Sequence, residues 1–129
     1  MIIGLGIDLC EISRVARYLE RYGERFTRRC FTPREIAHAK RFAHSAEQFA
    51  ARIAAKEAAS KALGTGWRQG VHWKCFEVDS LPSGKPFLRV HGRAADLAAQ
   101  MGVKNINLTL THDAGVAAAV VIFEGEGNF

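Results

Sequence analysis

The sequence predicts an α+β fold in which a small antiparallel sheet packs against one long helix, in the order β-α-α-α-β-β-α-β-β. Three observations predict it. The chain opens on an apolar run rich in β-branched residues, Ile2 to Leu9; its middle is an alanine-rich stretch with helix punctuation at both ends; and it closes on two apolar runs joined at Asp113-Ala114-Gly115. At 129 residues, 48% of them hydrophobic, a single domain over 1–129 is expected, with a core that needs no disulfide or metal staple.

Each element has its own reason. In residues 2–9, read as a buried strand, Ile3, Leu5, Ile7 and Leu9 share one face and Ile2, Gly4, Gly6 and Asp8 the other. The two glycines leave either room for a ligand beside Asp8 or a seat for a closely packed helix. A helix from Glu11 to Tyr22 follows, with Ile12, Val15, Ala16 and Leu19 on its apolar side. Thr32 as N-cap, Pro33 at the first helical position and Glu35 closing a capping box start the next helix. Ser45 to Gln48 repeats the box and opens the long helix from Ala46 to Leu63, stopped by Gly64. Trp73–Asp79 and Phe87–Val90 read as strands around the turn Leu81–Pro86, and residues 93–101 as a short helix ended by Gly102. Asn105–His112 and Val116–Glu124 form the closing hairpin.

Lysines and arginines number 18 against 13 acidic residues, a net charge of +5, which suits a polyanion, an acidic protein or a phosphorylated small molecule. Disorder, collagen-like repeats and a disulfide scaffold are excluded. Cys10, Cys30 and Cys75 are an odd set without metal-site spacing, and free thiols fit a reducing cytoplasm. The start lacks a basic leader pattern, and no run reaches the ~20 apolar residues of a membrane helix. A cytoplasmic protein without a membrane partner is expected.

The densest chemical signal lies on the long helix. Glu57 and Lys61 are four apart, which on spacing alone describes a surface ion pair; Arg52 and Lys56, also four apart, share a helix face with like charge. The alanines around Glu57 suggest close packing, and a partly buried Glu beside a Lys marks a site more often than a surface bridge does. Asp8 and Glu57 together would suit Mg²⁺, which takes one or two carboxylates, waters and phosphate oxygens. Lys61 would then neutralise phosphoryl charge or assist proton transfer. Sequence alone does not bring Asp8 and Glu57 together.

Gly4 to Leu9 with Ile12 and Arg14, then Phe31 to Ile36, Ala54 to Gly66, Gly84-Lys85-Pro86 and Thr109 to Asp113 resemble the motifs of bacterial holo-acyl-carrier-protein synthases. These are small trimeric 4′-phosphopantetheinyl transferases. The motifs stand in the family's order over residues 2–123, and the Lys56-Glu57-Ala58 to Gly66 run is the most specific of them. The resemblance implies the fold of that family and transfer of phosphopantetheine from coenzyme A to a serine of apo acyl carrier protein, in fatty acid biosynthesis. It implies Mg²⁺ held by Asp8 and Glu57, Lys61 on the pyrophosphate as a catalytic group, and a homotrimer with its sites between subunits. The serine proton goes to Glu57 or to a metal-held water, and the sequence leaves both open. Arg52, Lys56, Gly64, Gly84, Lys85, Pro86 and His112 are the further candidates for contacting coenzyme A. His112 falls in line with Ile106, Leu108 and Leu110, a core-edge position; the family's histidine at this place contacts phosphates. Ile53, where the family usually has an aromatic, and Ala59, whose counterpart is often larger, alter packing or pocket volume.

Arg14, Arg17, Arg21, Arg25 and Arg28 recur at helical spacing, although Gly23 interrupts the run. A solvated face is the ordinary reason for such a stripe. In the resembling family the corresponding helix docks the acidic carrier, which makes Arg14, Arg21 and Arg25 the candidate partner contacts, through bidentate bonds to carboxylates. Nucleic acid is disfavoured, because Glu11, Glu20 and Glu24 interrupt the positive field and stacking aromatics are sparse. The rival function is a non-catalytic basic module that docks an acidic protein or nucleic acid.

Overall fold

A computed structural model describes residues 1–126. Ten elements run in the order β1 (Ile2–Glu11), α1 (Ile12–Tyr22), α2 (Glu24–Cys30), α3 (Pro33–Ala39), α4 (Ser45–Leu63), β2 (Phe76–Ser80), β3 (Pro86–Val90), α5 (Gly92–Met101), β4 (Val103–Asp113) and β5 (Val116–Gly125). This is the expected α+β order with one short helix, α2, added. Gly23, at φ 51°, ends α1 as expected, but the chain turns there and winds a further helix. Residues 73–75 form a 3₁₀ turn, so the strand expected from Trp73 begins only at Phe76.

Three antiparallel strands in the order β1-β5-β4 form the main sheet, and β2 pairs with β3 in a separate ribbon. The β4–β5 turn is set by Ala114 and Gly115, both at positive φ, between paired Asp113 and Val116. Two left-handed residues are what a tight hairpin needs, and the Asp113 carboxylate accepts from the Ala114 amide at 2.9 Å.

Register fixes two different faces. On the inner one, rows run Gly6–Val121–Leu108 and Asp8–Ala119–Leu110; on the outer one, Leu5–Ile122–Asn107, Ile7–Val120–Thr109 and Leu9–Ala118–Thr111. The strand expected to be buried is therefore buried on one side only, and Leu5, Ile7 and Leu9 are each about 60% exposed.

Helix α4 lies across the inner face and is covered almost all round, with Phe49, Ala50, Ala54, Ala55, Ala58 and Ala59 at or near full burial. The small face of alanines lets it settle directly on the strand glycines. A Cβ placed on Gly6 would overlap the Ala58 carbonyl oxygen and lie 2.8 Å from its carbon. The glycines thus seat the helix and leave no ligand gap. His44, not Ser45, occupies the N-cap, and no side chain caps this end. At α3 the Thr32–Glu35 capping box forms as expected. An aromatic cluster, Phe26 on Phe31 at 5.7 Å and Phe31 on Phe49 at 4.8 Å, joins α2 and α4.

Candidate active site

The seating of α4 on β1 places the chemistry. Gly6 rests against the carbonyl of Ala58, so Asp8, two positions along the same face, comes beside Glu57 and shares a hydrogen bond with it. Burial, then the bond to Asp8 and its negative charge, push the Glu57 carboxyl up to about 7, with Lys61 and Arg14 opposing. Lys61 does not close a surface pair with Glu57. It turns across to β1, donating to Asp8 Oδ1 at 2.9 Å and to the Ile7 carbonyl at 3.1 Å. Two carboxylates from different elements and one ammonium thus converge at the α4–β1 crossing.

Of two clefts, one opens on this cluster and the other is lined by none of its three residues. A smaller one of about 260 Å³ opens at Glu57 and is lined by Arg14, Ile53 and Trp73 among others. Ile53 therefore adjusts cleft volume, whereas Ala59 is fully buried and adjusts packing. A larger cleft of about 600 Å³ brings together Arg52, Gly84 and Pro86, three of the expected coenzyme A contacts, with His38 and Arg41. Arg52 is anchored through Nη1 to the Gln48 carbonyl at 3.2 Å and its side-chain oxygen at 3.3 Å. Its buried Nε has no hydrogen-bond partner among the described residues. His38 and Arg41 escaped sequence reasoning because they sit at the end of α3 and beyond it, outside any recognisable spacing.

Lys56 corrects an expectation. It is fully buried, and its three ammonium protons go to Glu35 Oε1 at 2.7 Å, the Trp73 carbonyl at 3.0 Å and the Phe76 carbonyl, so none remains for a phosphate. Gly64 caps α4 in the left-handed conformation at φ 84°. Lys85 is exposed on the β2–β3 turn, outside the residues lining the large cleft. His112 is exposed at the end of β4, on the same sheet face as Asp8 and one row beyond it.

Arg14, Arg21 and Arg25 are all exposed. Arg14 lines the cleft at Glu57 together with Cys10. Arg25, with Arg29, borders a groove of about 380 Å³ walled by Tyr18, Tyr22, Phe26 and Trp73. The guanidinium of Arg21 lies 5.4 Å from the Tyr22 ring centre. The basic face thus carries an aromatic furrow that parity counting did not reveal, because its walls come from α1, α2 and the turn at Trp73.

A family model described as the 4′-phosphopantetheinyl transferase superfamily matches residues 4–121. The chain belongs to this family. It is accordingly a transferase by kinship. It is 54% identical over 124 residues to the holo-[acyl-carrier-protein] synthase of Solibacter usitatus, covering 96% of this chain and 99% of the relative. It is 47% identical to that of Koribacter versatilis, with the same coverage. Among solved structures, the Neisseria meningitidis holo-[acyl-carrier-protein] synthase superposes with a TM-score of 0.86 at 30% identity, covering 96% of this chain and 99% of that one. The Bacillus anthracis holo-(acyl-carrier-protein) synthase, in complex with CoA (3′,5′-ADP), gives 0.79 at 33% identity over 98% and 99%. The fold of this chain is that of the phosphopantetheinyl transferases.

Proposed function

We propose that the protein transfers 4′-phosphopantetheine from coenzyme A to a serine of apo acyl carrier protein, releasing adenosine 3′,5′-bisphosphate. The convergence of Asp8, Glu57 and Lys61 at the α4–β1 crossing carries this reading, supported by relatives named for the reaction and by a coenzyme A complex among the structural neighbours.

The residues present fit Mg²⁺. Asp8 and Glu57 stand close enough to share a hydrogen bond, and a hard cation that draws its remaining ligands from water and phosphate needs no third protein carboxylate. When bound, Mg²⁺ would supply charge withdrawal at the phosphorus under attack. The serine proton passes to Glu57 or to a water held beside it, and the chain's other groups do the rest. Lys61 Nζ, now on Asp8, holds a pyrophosphate oxygen and offers the departing phosphate a proton. Arg52, anchored by Gln48, offers its guanidinium charge to the nucleotide in the large cleft, which Gly84 and Pro86 also line. Release of adenosine 3′,5′-bisphosphate is expected only with coenzyme A, apo carrier and Mg²⁺ together, and to stop with EDTA. Undiminished release in EDTA would remove the metal from the site.

The carrier docks on α1 and α2, its acidic groups on the arginines and an apolar side chain in the furrow of Tyr18 and Phe26. Because Arg14 also stands at the Glu57 cleft, Arg25 separates docking from chemistry more cleanly. Arg25→Glu is expected to raise the KM for carrier about tenfold and leave the KM for coenzyme A unchanged. Equal changes in both would argue against docking at this helix.

The exposed Leu5, Ile7 and Leu9 face supports a homotrimer, since a row of large apolar side chains on one sheet face marks an interface. His112 and Lys85 then serve coenzyme A across subunits. The protein works in the cytoplasm, in fatty acid biosynthesis.

A further inference from the structure

One short helix grips three consecutive residues of β2. From α3 and its cap, the Thr32 hydroxyl donates to Glu77, Glu35 Oε2 accepts from the Val78 amide at 3.0 Å, and Arg34 donates to Asp79 at 2.9 Å. Glu35 and Lys56 are both fully buried and 2.7 Å apart. Lys56 extends the grip to the Trp73 and Phe76 carbonyls.

The two ends of this network lie in different clefts. Val78 and Asp79 line the large cleft with Arg52, whereas Trp73 lines the small one beside Glu57. Lys56 itself directly precedes Glu57 on α4. Stability alone does not call for such a pair, because an apolar pair of similar volume commonly serves a core as well. Apolar side chains cannot accept from the Val78 amide or donate to two carbonyls at once.

We propose that Glu35 and Lys56 are positioning residues, which fix the nucleotide-cleft wall of β2 at its working distance from Glu57 of α4. This rests on the coenzyme A reading above. Glu35→Met/Lys56→Met is expected to raise the KM for coenzyme A about tenfold. Affinity for adenosine 3′,5′-bisphosphate, measured by calorimetry, falls by the same factor, while the KM for carrier stays unchanged. Glu35→Gln/Lys56→Met keeps an acceptor for the Val78 amide but not the Lys56 donors, and is expected to recover about half of this, to about threefold from the parent. It also carries the test where the first variant fails to fold. A folded variant with parental coenzyme A KM and nucleotide affinity overturns the proposal, and so does failure of both to fold. A parent protein that binds no adenosine 3′,5′-bisphosphate and modifies no carrier overturns the functional reading, and this one with it.

Discussion

Glu57→Gln is expected to lower transfer by at least about 10³-fold, the scale of losing several kcal/mol of charge stabilisation at phosphorus. The same substitution should stabilise the metal-free protein. In the fold the Glu57 carboxyl is raised to about 7 from an ordinary 4.5, by burial first and by Asp8 second. Its protonated form therefore favours the folded state: that contribution is full below pH 4.5 and is lost as pH rises through 7. A glutamine resembles the protonated acid at every pH. The gain in Tm over the parent should thus be near zero at pH 4.5, grow toward pH 7 and level off above it. With solvent screening of this half-exposed group, about 1 kcal/mol or about 4 °C is expected at pH 8. Thermal melts in EDTA across that range decide the matter. A variant no more stable than the parent at pH 8 would mean that neither burial nor Asp8 raises the Glu57 carboxyl, and full activity would take Glu57 out of the site.

Gly6→Ala is expected to damage both fold and activity, because the added methyl meets backbone. Its Cβ would overlap the Ala58 carbonyl oxygen and stand 3.0 Å from the Ala62 amide nitrogen, and neither can swing aside as a side chain does. Overpacking of this kind costs about 3 kcal/mol. Moving β1 off α4 also draws Asp8 from Glu57 and Lys61, so residual folded protein should be nearly inactive at saturating coenzyme A. Urea unfolding with a kcat measurement on the folded fraction checks both parts. Parental stability would show that the strand and helix are not in contact at Gly6.

How much of this was legible in the sequence depends on the range of each cause. The Thr32-Pro33-Arg34-Glu35 cap and the Ala114-Gly115 turn are local, and both form as read. Parity in β1 separated Leu5, Ile7 and Leu9 from Gly6 and Asp8 correctly, but alternation does not say which face is covered. Helix α2 was missed because Gly23 broke the periodicity and its seven residues, Glu24–Cys30, are too few to restore it. Asp8, Glu57 and Lys61 meet because of small residues that sequence does show, Gly4, Gly6 and the alanines of α4. Lys56 was misread because its partner Glu35 stands 21 residues away, and four-residue spacing from Arg52 carries no information about that. His38, at the end of α3, and Arg41, just beyond it, enter the large cleft only through the placement of that helix end.

The central claim is that this chain adds phosphopantetheine to a carrier serine. Intact mass spectrometry of an apo acyl carrier protein, after incubation with the protein, coenzyme A and Mg²⁺, tests it most directly. A gain of one phosphopantetheine, absent with the serine replaced by alanine, is the expected result. A carrier of unchanged mass, with folded protein and several carriers tried, would contradict it and leave a basic docking module in its place.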